Sequence, residues 1–357
     1  SVVELDPVAA SDTYGLDGFI VQGLAPLTDY LNRVPHDIRD TIDAKRARQL
    51  ITVINAAGFT APPRARKVGQ YTVDRLESIE QGPSWNDVIA ENPHFPGQRK
   101  RIRLYDVPRG ASVERREQVT RAAKREYLLT TGLRHPGVVA PEEFVDDPNA
   151  GPSLVFAYDP AAVRLDTWLS EHRGELTVER QLDLLRQLAE ILKYAHSRGI
   201  QHRALTPQQV FVTPTETGSV RLSVRDWQSG REEPGVDRGT ASPAPTYLQG
   251  TRHVAQNVDT ATWVYLAPEV HMADDPDGVA LDIYGLGSIG YLILTDAPPA
   301  DGIPALEMRL RGSQGLDPAV DLDGITDGLR HLIQRATHPD ARMDRTPDVE
   351  AFLADLD

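Results

Sequence analysis

The chain has 357 residues, 40% of them apolar and 25% charged, with a formal net charge of −14 and no cysteine. The length suits more than one compact unit, and the absence of thiols excludes disulfides, a cysteine-ligated zinc and a thiol nucleophile. The acidic balance argues against general nucleic-acid binding, and with no run of about 18 apolar residues and no visible signal peptide, a cytoplasmic protein without a membrane span is expected. Residues 1 to 20 lack periodicity and read as a tail, followed by a short helix from Leu24 to Asn32. A stronger helix starts at Pro35: Ile38, Ile42, Leu50, Val53, Ile54 and Ala57 recur at near-helical spacing, and Gly58 is its stop. Pro62-Pro63 with Arg64, Arg66 and Lys67 reads as a linker. So few apolar residues cannot fold alone. The extension is expected to pack on the unit C-terminal to it or to bind elsewhere in a longer parent chain, an expectation that the start at Ser1 also prompts.

Strands are predicted around Tyr71–Ile79, Asn86–Glu91 and Arg99–Tyr105, then a helix from Val113 to Leu129. Gln181 to Ser197 is a long amphipathic helix, Ser219 to Trp227 holds two short strands, and Ile283 to Leu294 is the most apolar stretch. The segment from Asp226 to Glu269 is rich in Gly, Pro, Ser and Thr and reads as a loop. From Arg64 to Arg134 there are 15 Lys and Arg against 9 Asp and Glu, so this region carries +6 and the remainder −20. That basic face is either solvated surface or a docking face for an acidic partner or a nucleic acid.

Several short motifs stand in a particular order. Arg125-Glu126 precedes Leu133-Arg134-His135-Pro136; His202-Arg203-Ala204-Leu205-Thr206-Pro207-Gln208-Gln209 comes next, then Asp226-Trp227-Gln228. Tyr265-Leu266-Ala267-Pro268-Glu269, Leu281-Asp282-Ile283-Tyr284-Gly285 and Asp344-Arg345-Thr346 complete the series. It resembles the protein kinase superfamily, bacterial serine/threonine kinases in particular, over about residues 70 to 357. The resemblance implies an α+β bilobal fold: residues 1–67 a tail and helical extension, 68–158 a β-rich small lobe and hinge, and 159–357 a helical large lobe. It also implies that Glu269 pairs with Arg345, that Asp282 bonds the backbone near His202 and Arg203, that Phe156 is the gatekeeper and that Tyr158 lies in the hinge.

The departures fall on chemistry. Ala204 stands where the kinase catalytic base belongs, Thr206 where a Lys is usual, and Gln209 where an Asn holds magnesium. Of the phosphate-covering glycines only Gly82 is in place, followed by Pro83, which has no N–H to offer, and bulky Trp85. The lysine that reaches ATP falls on Arg103, with Lys100 a spare candidate; Arg103 is expected to pair with Glu126. Strand alternation puts Arg101 on the same face, where active kinases keep a small residue against adenine. Asp226 survives as one potential metal ligand, Trp227 is expected to fill an apolar site, and Gln228 replaces a glycine. Arg203 either is structural or binds a phosphate in a loop that carries Ser229, Thr240, Ser242, Thr246, Thr251 and Thr262.

The pattern implies a pseudokinase used for interaction or allosteric switching, with no cofactor expected and ATP/Mg binding weak or absent. Two alternatives stay open: a degenerate but active kinase or nucleotidyl transferase relying on Asp226 and Glu126, and a nucleotide sensor without turnover. The wording around His202–Gln209, Asp226–Gln228 and Arg64–Tyr71 also resembles the kinase-like segment of large actinobacterial phage-growth-limitation (BREX-type W) proteins. That implies a role in phage resistance, with partners that are proteins or other domains of the parent chain.

Overall fold

Of the first 65 residues, the computed structural model describes 2–3, 15–16 and 19–21; beyond them it describes 66–357 except 74–78, 83–84, 106, 108–111, 149, 228–230, 233–259, 273–275, 312 and 343. The chain divides into two units, Ser1–Ala65 and Arg66–Asp357. In the first, β3 (Phe19–Val21) runs parallel to β1 (Val2–Val3) and antiparallel to β2 (Gly15–Leu16). The reading of residues 1 to 20 as a tail missed these strands, because two or three residues are too few to show a period of two. The helices expected at 24–32 and 35–58 lie outside the described residues.

The second unit starts earlier than the sequence suggested. Arg66 and Lys67, read as linker, open β4 (Arg66–Val68), which pairs with β5 (Tyr71–Val73). The two-residue turn between them needs Gly69, whose φ is +54°. Charged residues at a sheet edge hide a strand in the sequence. β6 (Glu80–Gly82), β7 (Trp85–Glu91), β8 (Arg99–Tyr105), β9 (Glu143–Asp147) and β10 (Gly151–Ala157) complete an antiparallel sheet in the order β4-β5-β7-β8-β10-β9, with β6 paired to β7. Its two faces differ. Ile102 and Leu104 join Val68, Val73, Val88 and Val155 in one apolar cluster. Trp85, Tyr105, Leu154 and Phe156 face the other way with Val119 and Ala123 of helix α1 (Val113–Thr131).

The large lobe is built on α3 (Val178–Ser197) and α5 (Gly278–Thr295), with α2 (Leu165–Glu171), α4 (Glu269–Met272), α6 (Ile303–Leu310), α7 (Asp327–Ala336) and α8 (Val349–Leu356) around them. Short strands β11 (Val163–Arg164), β13 (Val210–Pro214) and β14 (Val220–Val224) form a sheet beside the cleft, and β12 (Ile200–Gln201) pairs with β15 (Arg231–Glu232). α5 is 18 residues long with mean hydropathy 1.4, long and apolar enough by those measures to cross a membrane. It is buried continuously from Ala280 to Leu294, the core helix of the lobe. Its glycines set the packing distance: a Cβ on Gly285 would lie 2.9 Å from the Leu205 carbonyl oxygen.

Candidate functional site

The hairpin that stands in the place of a phosphate-covering loop is plain sheet, as its degenerate glycines led one to expect: Glu80, Gln81 and Gly82 pair with Asp87, Asn86 and Trp85. Trp85 is not a loop residue but the start of β7, with its ring buried. Because side chains alternate along a strand, Trp85 and Asp87 share a face, as do Arg101, Arg103 and Tyr105 on β8. The register sets Asp87 directly opposite Arg103, and Leu154 and Phe156 of β10 opposite Arg103 and Arg101. Two arginines thus enter a buried layer between sheet and helix. Lys100, on the other face, pairs with Glu142 at 2.5 Å near solvent.

Arg103, fully buried, is bound by three carboxylates, one on β7, one on α1 and one just after β14. Its Nε and Nη2 donate to Asp87 at 2.9 and 3.0 Å, and its Nη1 donates to Glu126 on α1 at 3.3 Å. Nη2 also lies 2.5 Å from Asp226 Oδ1, an ion pair without hydrogen-bond alignment. The guanidinium carbon sits 3.5 Å from the centre of the Trp85 ring. Asp87 receives a further bond from Arg101 Nη1, and Glu126 one from the Tyr105 hydroxyl. Burial pushes the Asp87 carboxyl up, but Arg103 and Arg101 overcome it and hold it below the usual range. Burial pushes Arg103 down and is likewise overcome, by Asp226, Asp87 and Glu126, leaving it well above its usual value. Glu126 is raised by burial, an effect that Arg103 and the Tyr105 hydrogen bond only partly offset.

Arg101 lies 4.1 Å over the Phe156 ring, and Arg225, just after β14, lies 3.4 Å over Phe211 of β13. Both line a cavity of about 580 Å³ between the lobes, with Glu80, Tyr158, Gln209 and Asp226. Arg225 is pulled down to about 10 by burial and then by the charge of Arg101. Glu80 is pushed up to about 7 by burial, then by Asp226 and Asp87. A carboxyl whose pKa rises on folding stabilises the fold fully below its ordinary pKa and loses that contribution as pH climbs through the folded value. Stability should therefore fall by about 1–2 kcal/mol between roughly pH 4.5 and pH 7 through this group, its part-exposure reducing the full linkage figure. Urea titrations at several pH values should show that slope, and Glu80→Gln should remove it.

The loop below the cleft keeps its frame. Asp282 of α5 accepts from the backbone N–H of His202 at 2.7 Å, from that of Arg203 at 2.6 Å, and pairs with His196 Nε2 at 2.9 Å. His202 Nε2 contacts the Arg225 carbonyl at 2.9 Å and its ring meets the edge of Trp227, which fills a fully buried site. Arg203 and Asp226 hold left-handed φ values of 70° and 63°, strain that persists because neighbouring bonds over-determine both. Arg203 Nη2 donates to the Pro276 carbonyl at 3.3 Å. Glu269 and Arg345 form a two-pronged pair, with Nη2 donating to Oε2 at 3.2 Å. Thr262 is buried at the end of the long loop, whereas Gln228, Ser229, Thr240, Ser242, Thr246 and Thr251 lie outside the described residues.

The chemical centre departs from a magnesium-nucleotide site at several positions. Ala204, buried at the base position, cannot accept a proton. The Gln209 oxygen accepts from the Thr206 backbone N–H at 2.9 Å and from its hydroxyl at 2.5 Å, so its acceptor is already engaged within the loop. Asp226 faces Arg103, a fixed cation where a metal would need a free carboxylate. Among the described residues no group of three or more His, Cys, Asp or Glu is arranged to hold a metal ion. Three contributors escaped the sequence reading: Asp87, Trp85 as the cover of Arg103, and Arg225. Asp87 was detectable as an acidic residue in the middle of a strand, two positions from Trp85 on the same face.

The fold and its interlobe cleft define a protein-kinase-type domain. The comparisons agree: residues 109–318 match the family described as protein kinase domain, and the chain belongs to that family. It is 33% identical over 328 residues to the probable kinase PglW of Streptomyces coelicolor, covering 87% of this chain and 21% of that protein. It is 24% identical over 237 residues to the serine/threonine-protein kinase PknB of Mycobacterium tuberculosis, covering 64% of this chain and 35% of PknB. The chain therefore spans about a fifth of the length of the first of these relatives and about a third of the second. Among solved structures, the PknI kinase domain of Mycobacterium tuberculosis superposes with a TM-score of 0.55 at 20% identity, over 83% of this chain and 98% of that one.

Proposed function

We propose that this domain is a pseudokinase, a kinase scaffold that serves as an interaction or allosteric module and does not transfer phosphate. The observation that carries the reading is the position of Arg103: the chain's own guanidinium neutralises Asp226, the retained candidate metal ligand, while tying it to Asp87 and Glu126. Arg101 over Phe156 supports the second half of the reading, since a guanidinium there takes the space against which a purine ring would lie. Losing a general base commonly lowers a rate by about 10²–10⁴, and here the metal site is compromised as well. The similarity to PglW, of which this chain covers 21%, supports a place in a larger phage-defence protein, with other domains of that chain as the partners.

Incubated with γ-labelled ATP and Mg²⁺, the protein should incorporate no label into itself or a generic substrate, and ATP·Mg should shift its Tm by less than about 1 °C. Label whose incorporation Asp226→Ala abolishes would overturn the reading in favour of a degenerate kinase. A clear Mg²⁺-dependent thermal shift without transfer would replace it with a nucleotide sensor.

A further inference from the structure

The cleft that the pseudokinase reading leaves without a magnesium nucleotide has donors of its own. Arg101 is 2% exposed, yet its Nε and Nη2 have no hydrogen-bond partner among the described residues. The same is true of Arg225 Nε and Trp85 Nε1, and all three residues line the one cavity. Buried donors are ordinarily satisfied, so a cluster of them around a shared space calls for acceptors. The two guanidiniums also repel. Each sits over an aromatic ring, and after burial the charge of Arg101 is the next largest influence lowering Arg225.

We infer that the cleft is a metal-independent binding site for a small oxyanion-bearing ligand, its carboxylate or phosphate-type group seated between Arg101 and Arg225. Planar guanidiniums offer parallel N–H pairs to such groups, and the aromatic rings behind them keep the forks in place. The carboxylates of the lining do not forbid an anion. Asp226 is engaged by Arg103 and Glu80 is pushed up to about 7 and so is partly neutral near physiological pH; Asp159 keeps its charge, bonded to the Thr213 hydroxyl at 3.1 Å, against the two guanidiniums of Arg101 and Arg225. The cavity, about 580 Å³, is of the size that holds small metabolites.

The inference rests on the cleft being closed to ATP·Mg, and the two readings fail separately: phosphate transfer is assayed with Mg²⁺, this site in buffer freed of divalent metal by passage over a chelating resin. Calorimetric titration of the full chain with sulfate and with malonate, against sodium chloride at matched ionic strength, separates a tetrahedral oxyanion from a planar carboxylate. Saturable binding of at least one is expected, weakened roughly tenfold by Arg225→Met and by Arg101→Met. Arg225 takes part in no salt bridge among the described residues, so Arg225→Met decides the matter if Arg101→Met fails to fold. Should it also fail, Arg225→Lys, which keeps the charge but loses the fork, is read instead and should weaken binding several-fold. No saturable heat with either probe overturns the proposal. So does binding that these variants leave unchanged, which would mark an adventitious ion only.

Discussion

Asp87→Ala should cost about 3–5 kcal/mol, because it leaves Arg101 and Arg103 buried with a fraction of their counter-charge. That is a large share of the roughly 5–15 kcal/mol that holds a typical domain folded. Asp87 is fully buried and accepts three hydrogen bonds from the two guanidiniums. Urea denaturation followed by tryptophan fluorescence reads the loss directly, since Trp85 lies against Arg103. A midpoint within about 0.5 kcal/mol of the parent protein would show that the cluster is not formed in solution. The asymmetry of buried ion pairs gives a companion result. Replacing Asp87, Arg101 and Arg103 together by apolar residues of similar volume should be far less damaging than removing Asp87 alone.

Asp282→Ala should be comparably severe, at about 2–5 kcal/mol, for a different reason. Two backbone N–H groups, those of His202 and Arg203, lose their acceptor inside the protein, and His196 loses its carboxylate. The left-handed backbone of Arg203, at φ 70°, would then lose the bond that anchors its N–H. Hydrogen exchange should show the His202 and Arg203 amides losing protection before the rest of the large lobe. If their protection survives while global stability falls, Asp282 acts on the core and not on the loop.

Legibility differed between the lobes for physical reasons. In the large lobe, function-bearing residues sit in short contiguous strings, and their partners recur at a fixed place in the order of motifs. His202, Asp282, Glu269 and Arg345 could therefore be assigned to one frame from the sequence, and the structure brings them together. In the small lobe, partners are chosen by sheet register, which depends on the turn between Asn92 and Gln98 together with the alternation along both strands. Alternation alone put Arg101 beside Arg103, but it could not say which strand would answer them. Glu126 proved to be one of three carboxylates around Arg103. Arg225 was hidden for another reason: its role comes from stacking on Phe211, 14 residues away in the sequence, and no spacing rule announces that.

Arg103 has one further consequence. In an enzyme whose two halves are joined through a bound metal nucleotide, the closed arrangement is populated according to how much of that ligand the cell supplies. Here the bridge from β7 and α1 to Asp226 is part of the polypeptide, present once per molecule at all times. Its occupancy cannot rise or fall with cellular energy charge. On the pseudokinase reading, a domain built this way would keep the same shape in a starving cell and in a growing one, and whatever it reports would arrive as a signal other than the supply of ATP.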